Sequence, residues 1–147
     1  KIKWPNDIYF KSKKLAGVLL ENQMQSGNQS VVIGVGINYS IDQSMIFKIP
    51  WTDLAKITRT LPEIKLLTAE IINNILVMSE HFSAFGFDGF QSDWKRYDML
   101  QGKKVKCTDP KDSFKGEILG VSSTGALKIF TNSGVKELYS SRHIEYI

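Results

Sequence analysis

The sequence has 147 residues, enough for one ordinary domain or for a compact pair of smaller ones. Hydrophobic residues make up 42% and charged residues 23% of it, the balance of a globular protein, and no apolar run is long enough to cross a membrane. The formal charge of +4 weakly favours anionic partners such as nucleotides and falls well short of a DNA-binding footprint. Cys107 is the only cysteine, which excludes an intramolecular disulfide and a cysteine-based metal site and suits a reducing cytoplasm.

The first quarter of the chain predicts a small antiparallel sheet. Residues 8–10 and 15–23 are strand candidates separated by a polar turn, which is the pattern of a β-hairpin. A second polar turn leads into residues 31–37, a continuous β-branched run that predicts a strand buried on both faces. Gly34 and Gly36 interrupt this run. Glycines inside a strand indicate that a ligand or another segment approaches the backbone closely.

The middle of the chain predicts helices. Residues 39–66 are irregular, with a short helix expected near 51–60, and long irregular stretches are often binding loops or lids. Apolar side chains then recur at spacings of three and four, which predicts an amphipathic helix that begins after Thr68, ends at Gly86 and packs on a core. Asp88 is expected to cap a second short helix. The apolar positions of the two helices are Leu67, Ile71, Ile75, Met78, Phe82 and Phe85, and then Phe90, Trp94 and Tyr97.

The last third of the chain predicts a separate β-rich module. Four short strands are expected there, punctuated by turns that contain glycine, proline, asparagine and serine. Regular short strands over about fifty residues are typical of a small SH3-like β-barrel. The domains are therefore predicted as residues 1–98 and 99–147. The predicted strands are residues 103–108, 114–121, 126–131 and 135–139.

Three short motifs contain the residues best suited to chemistry. They are K-W-P-N-D at 3–7, K-L-A-G-V-L at 14–19 and G-V-G-I-N at 34–38. They place two lysines, a carboxylate and an amide on loops at the ends of one predicted sheet, beside the strand with two glycines. Lysine ammonium groups and exposed backbone N–H groups are suited to binding a phosphate. Judged from residue types alone, ordinary surface charges with tight-turn glycines remain the alternative.

The order and wording of these motifs resemble the biotin–protein ligases of the bacterial type, and the β-rich module resembles the C-terminal domain of that family. The resemblance implies an α+β fold, in which the C-terminal part of a class II synthetase-like mixed α/β ligase domain precedes a small SH3-like β-barrel. It implies that biotin and MgATP are converted to biotinyl-adenylate and pyrophosphate in the cytoplasm. Biotin would then pass to a lysine of a biotin carboxyl carrier protein, a subunit of acetyl-CoA carboxylase.

The resemblance also implies catalytic and biotin-binding residues. Lys14 matches the lysine that contacts the biotin carboxylate and the adenylate linkage, where a fixed ammonium stabilises developing negative charge. Asp7 would either ligate Mg²⁺ or accept a proton from the carrier lysine, and these two roles stay open. Gly17, Gly34 and Gly36 would let biotin lie close to the strand backbone.

Five further residues are implied for ATP or the adenylate. Lys3 is expected on the phosphate side, Asn6 near the phosphates and Asn38 near the nucleotide. Trp51 matches the aromatic residue that stacks on adenine, although core packing would equally explain it. Arg142 would reach the nucleotide from the β-rich module, and a surface salt bridge is its alternative explanation.

The resemblance sets expectations about the rest of the protein as well. In the family, a Gly/Arg-rich loop that binds biotin and phosphate precedes K-W-P-N-D, and no such loop occurs in this sequence. We therefore expect the chain to be a piece of a longer protein and to be almost inactive by itself. A homodimer formed through residues 29–35 is implied, and DNA binding only where an N-terminal helix-turn-helix exists. No membrane partner is expected.

Two other functions remain open at the level of sequence. A lipoate or octanoyl ligase shares the catalytic fold, and the acid that supports pyrophosphate release would distinguish it. A non-catalytic module, in which the SH3-like part binds a protein or nucleic acid, would tolerate Lys14→Ala without loss of binding.

Overall fold

The computed structural model describes residues 1–25, 27–42, 44–109, 112–140 and 144–147. Contacts divide the chain into two compact units, Lys1–Leu61 and Pro62–Ile147. This division into compact units does not test the predicted domain boundary after residue 98, which stays a prediction. Among the described residues, no helix is long and apolar enough to cross a membrane.

The first unit is built on a four-stranded antiparallel sheet with the strand order β1-β2-β3-β4. A two-residue turn joins β2 to β3, and both of its residues, Lys11 and Ser12, have positive φ, the sign pattern of the type I′ turns that suit twisted hairpins. The predicted hairpin and three-stranded meander are confirmed, and β1 is an addition to them. The strands are β1 (Ile2–Lys3), β2 (Asp7–Phe10), β3 (Lys13–Gln25) and β4 (Asn28–Ile37).

The expectation that β4 is buried on both faces is wrong for the described chain. Val31, Val32 and Ile33 are 55%, 47% and 38% exposed. The reason is that the extensive contacts of β4 are with β3, its neighbour in the plane of the sheet, and not with an element stacked on either face. The buried apolar side chains among the described residues of this unit are Trp4 and Ala16.

The irregular segment after β4 contains a helix, α1 (Leu54–Ile57), that is shorter than the predicted 51–60. Asp53 caps it, because its Oδ1 accepts a hydrogen bond from the Lys56 backbone N–H at 3.0 Å. The other carboxylate oxygen, Oδ2, accepts from the Ile41 N–H at 2.9 Å. Asp53 therefore ties the start of the segment to the helix, and it is only 1% exposed.

The second unit begins with three consecutive helical segments. The predicted N-cap at Thr68 is wrong, because the first helix begins one turn earlier, after Glu63. The predicted end at Gly86 is confirmed, and Gly86 has the positive φ of 60° that favours glycine. The predicted cap at Asp88 is wrong, because Asp88 lies inside the 3₁₀ helix and accepts from the Gln91 side chain. The segments are α2 (Ile64–Phe85), the 3₁₀ helix (Gly86–Phe90) and α3 (Gln91–Tyr97).

The spacing of apolar residues predicted α2 correctly, but not its burial. Leu67, Ile71 and Ile75 are half-buried, whereas Phe82 and Phe85 are 54% and 62% exposed. The extensive contacts of α2 are with the 3₁₀ helix that follows it. The expected packing of the whole stripe into a core is therefore wrong for the described residues.

A five-stranded antiparallel sheet completes the second unit, with the strand order β8-β7-β6-β5-β9. The four predicted strands are confirmed, β9 is new, and the mixed α+β class is confirmed. Among the described strands, β8 and β9 are the two edges, so no pairing closes this sheet into a barrel. Its core contains the fully buried Val105, Ile118, Leu127 and Ile129. The strands are β5 (Lys104–Asp109), β6 (Asp112–Val121), β7 (Leu127–Thr131), β8 (Gly134–Leu138) and β9 (Ile144–Tyr146).

Candidate active site

A β-bulge in the first sheet decides which side chains share one of its faces. Asp7 pairs with Gly17, but two residues later Tyr9 pairs with Lys14. Leu15 is the extra residue that the bulge accommodates. Because side chains alternate along a strand, regular pairing would have placed Leu15 rather than Lys14 on the face of Asp7. The bulge thus turns Lys14 toward Asp7.

Lys14 and Asp7 form an ion pair on this face. The distance from Lys14 Nζ to Asp7 Oδ1 is 2.5 Å, and the side chains are 32% and 22% exposed, so a ligand can reach both. Gly17 lies beneath the pair, where a Cβ would approach Asp7 Oδ1 to 3.1 Å and Lys14 Nζ to 3.5 Å. The missing side chain at Gly17 therefore provides room for the ion pair.

Two glycines of β4 extend the same face. Gly36 pairs with Gly17 and Gly34 pairs with Leu19, which puts both glycines level with the ion pair. Neither has a positive φ, and a Cβ added at either would meet no atom closer than 3.8 Å. Glycine weakens a strand by about 0.5–1 kcal/mol relative to alanine. Packing within the described chain does not explain these glycines, whereas close approach of a ligand does.

Together these residues line an open cavity of about 410 Å³ on the face of the sheet. Its polar groups, the ammonium of Lys14 and the carboxylate of Asp7, lie at one end of a floor made of backbone. A long apolar acid could lie along such a floor with its carboxylate against the ammonium. The lining consists of Asn6, Asp7, Lys14, Gly17, Val18, Leu19, Gly34, Val35 and Gly36.

Asn6 fastens the K-W-P-N-D turn to β3. Its Nδ2 donates to the Val18 carbonyl at 2.6 Å, and the Val18 N–H donates to the Asn6 carbonyl at 2.9 Å. The Trp4–Pro5 peptide bond is cis, and Trp4 is buried. These contacts hold Asn6 at the rim of the cavity.

Asn38 connects the end of β4 to the segment that contains Trp51. Its Nδ2 donates to the Thr52 carbonyl at 2.9 Å and to the Lys14 carbonyl at 3.2 Å. The Lys14 N–H donates to the Pro50 carbonyl and the Thr52 N–H to the Lys14 carbonyl, both at 2.9 Å. The result is a parallel bridge between Lys14 and Trp51. Trp51 thus lies beside Lys14, half-buried and not in a core.

Lys3 is on the same face of the sheet. It pairs with Asp7 across β1 and β2, and its Nζ lies 5.7 Å from the centre of the Tyr9 ring. Burial raises the pKa of the Tyr9 hydroxyl, the neighbouring charge of Asp7 raises it further, and Lys14 opposes this. Tyr9 is therefore a neutral hydroxyl at physiological pH, beside two lysines and a carboxylate.

One expected site residue could not be placed, and one structurally important residue was not anticipated. Arg142 lies outside the described residues. Asp53 was missed, although an aspartate one residue before an apolar helical start is an N-cap signal. No group of three or more histidine, cysteine, aspartate or glutamate side chains that could hold a metal occurs in the described part of the chain.

The geometry places a lysine ammonium and a carboxylate beside a sheet face lined by glycines, and known proteins resemble the chain that carries this site. Residues 1–38 match the model of the biotin/lipoate A/B protein ligase family. The bifunctional ligase/repressor BirA of Bacillus subtilis is 32% identical over 145 residues, which covers 95% of this chain and 44% of the relative. BirA of Escherichia coli is 29% identical over 140 residues, with coverages of 92% and 43%.

Solved structures give the same result. The crystal structure of the biotin protein ligase of Aquifex aeolicus matches 99% of this chain and 64% of that protein, with a TM-score of 0.82 and 28% identity. The same protein in complex with biotin and ATP matches with a TM-score of 0.79 and covers 62% of its length. The resemblance predicted from the motifs is confirmed: over nearly its whole length this chain is similar to bacterial biotin–protein ligases. It spans less than half the length of the curated relatives it matches.

Proposed function

We propose that these residues form one side of the active site of a biotin–protein ligase. The observation that carries the proposal is the Lys14–Asp7 ion pair above a floor of three glycines, Gly17, Gly34 and Gly36. A glycine floor admits the biotin body against the backbone, and Lys14 meets its carboxylate. The names of the relatives, which are biotin ligases, support biotin as the acid.

In the first half-reaction, a biotin carboxylate oxygen attacks the α-phosphorus of ATP. A new P–O bond forms, the bond to the bridging oxygen breaks, and pyrophosphate leaves. Two anionic groups approach each other in this step, so a fixed cation contributes directly to the rate. Lys14 supplies that cation, since its ammonium is reachable from the cavity and its backbone is held on both sides by the Trp51 segment.

In the second half-reaction, the ε-amine of a carrier lysine attacks the biotinyl carbonyl carbon. A C–N bond forms, the C–O bond to the phosphate breaks, and AMP leaves with its charge near Lys14. The attacking amine must lose a proton. Asp7 is the carboxylate on this face, and we assign it either that proton or the orientation of the phosphate-bound metal.

Magnesium fits this site only as the partner of ATP. Mg²⁺ commonly takes one or two protein carboxylates together with substrate phosphates and water. Asp7 supplies one carboxylate, and the described residues offer no cluster that would hold the ion without a nucleotide. In its metal-binding role, Asp7 would be one ligand of the ion that ATP brings.

The nucleotide would lie at the Trp51 end of the site. Trp51 is beside Lys14, so a base stacked on its ring would place the α-phosphate near the ammonium. Lys3 flanks Asp7 on the phosphate side. Asn38 contributes to the nucleotide site by fixing the backbone that carries Trp51. Asn6 contributes by holding the K-W-P-N-D turn at the rim of the cavity.

The remaining parts of the proposal concern partners. The acceptor would be a lysine of a biotin carboxyl carrier protein, and the reaction would take place in the cytoplasm. A second copy of the chain would pair along residues 29–35, and this is supported by the position of β4 at the edge of its sheet. DNA binding would depend on an N-terminal helix-turn-helix, and we attribute none to these residues.

The decisive experiment compares Lys14→Ala with Lys13→Ala in the full-length protein. Lys13, the exposed first residue of β3, is the neighbour of Lys14 and is a matched control. We expect biotin-dependent pyrophosphate release to fall by about 10²–10³-fold for Lys14→Ala and to be nearly unchanged for Lys13→Ala. Adenylate formation at the normal rate by Lys14→Ala would refute the mechanism. Pyrophosphate release that requires lipoate or octanoate instead of biotin would move the protein to the lipoate branch of the family.

A further inference from the structure

A lysine that no motif includes lies against the ring of Trp51. Lys56 Nζ is 4.0 Å from the centre of the indole, well inside the range of about 6 Å for a cation–π contact. Phe47 packs against the same indole at 5.1 Å between ring centres, with 62° between the ring planes. Trp51 is thus held by a cation and by an aromatic neighbour, while its backbone is bridged to Lys14.

The position of Lys56 is set by buried structure. Its backbone N–H donates to Asp53 Oδ1, and the other oxygen of that carboxylate accepts from Ile41. Asp53 is 1% exposed, so this cap is not an exposed surface contact. The backbone of Lys56 is therefore fixed beside the indole, although the residue itself is exposed.

We propose that Lys56 is a positioning residue for the nucleotide base, acting through Trp51. This inference rests on the proposed function, in which Trp51 stacks on adenine. The ammonium holds the indole ring in place, so that a planar base can stack on it. Because the base would stack on this ring, ATP binding draws on Lys56 whereas biotin binding does not.

Three variants of the full-length protein separate ring contact from charge. Lys56→Met keeps an unbranched stem over the indole and removes the charge, whereas Lys56→Arg keeps a cation. Arg59→Met removes the same charge from an exposed position three residues further on. Biotin-dependent pyrophosphate release is measured for each as a function of ATP and of biotin.

We expect Lys56→Met to raise KM for ATP about three- to fivefold, with kcat and KM for biotin unchanged. Lys56→Arg should stay within about twofold of the wild type, and Arg59→Met should match the wild type. In a Trp51→Ala background, Lys56→Met should have no further effect, because the residue acts through the ring.

Each contrary result has a distinct meaning. An unchanged KM for ATP in Lys56→Met overturns the inference while leaving the proposed function intact. An equal rise in Arg59→Met, or an undiminished effect of Lys56→Met in the Trp51→Ala background, overturns it too, because charge alone would then account for the change. A wild-type protein that releases no pyrophosphate with biotin overturns the proposed function and this inference together.

Discussion

The two sheets of this protein use their faces differently. In the five-stranded sheet, buried and exposed side chains alternate along β7, and Ile118, Leu127 and Ile129 are completely buried. In the four-stranded sheet, one face carries three glycines and an ion pair, and the apolar side chains Leu19 and Leu20 are 58% and 63% exposed. The five-stranded sheet forms a core of its own, whereas the four-stranded sheet leaves a face open to a ligand.

This difference follows from what each face packs against. A side chain contributes to stability in proportion to the apolar area it removes from water, about 25 cal/mol per Å². A glycine removes almost no apolar area from water. A floor of glycines therefore adds little to the stability of the fold, but it leaves space for a substrate. Mutations in the two sheets should therefore separate stability from function.

The largest effect is expected in the core of the five-stranded sheet. Ile129→Ala should destabilise this unit by about 2–5 kcal/mol, because it leaves a cavity among fully buried side chains. Phe130→Ala is the matched control, since Phe130 is the next residue on the opposite face and is 57% exposed; its cost should be about 1 kcal/mol or less. Hydrogen exchange of the β6 and β7 amides measures both. Equal costs would contradict the alternation of faces.

An intermediate effect, on function alone, is expected at the glycine floor. Gly36→Val places a branched side chain where biotin would lie, so kcat/KM for biotin should fall by more than about tenfold. Stability should stay the same or rise by up to about 1 kcal/mol, because valine suits a strand better than glycine. Ser30→Val, on the same strand but outside the cavity lining, should leave biotin kinetics unchanged. Parallel loss of stability and activity in Gly36→Val would argue that the glycine serves folding.

The smallest effect is expected at Cys107, in the buried layer of the five-stranded sheet. Burial raises the pKa of its thiol, so the folded protein holds the proton to higher pH than the unfolded chain. The resulting contribution to stability is complete below the unfolded pKa and is lost as the pH rises from the unfolded pKa through the higher folded pKa. Cys107→Ala should flatten the decrease in stability over that range. Alkylation of the thiol at equal rates in the folded and urea-unfolded protein would contradict its burial.

Much of the fold follows from local patterns. All strands except β1 and β9, and the long helix α2, were predictable because alternation and helical spacing are properties of neighbouring residues. The helix ends were less so: Gly86 was recognised by its backbone freedom, whereas Thr68 resembles an N-cap but lies inside the helix. Burial was not predictable for β4 or α2, since it depends on which distant element covers a face.

The candidate site shows the same division. The sequence by itself determined the family resemblance and the two glycines that leave β4 without side chains. It also identified Lys14 and Asp7 as the charged candidates for the site. Only the tertiary structure decided that the bulge at Leu15 turns Lys14 onto the face of Asp7, and that Trp51, with Lys56 on its ring, lies beside Lys14. The reason is physical: residue types are local, but register and bridges are set where segments far apart in the chain compete for the same hydrogen bonds.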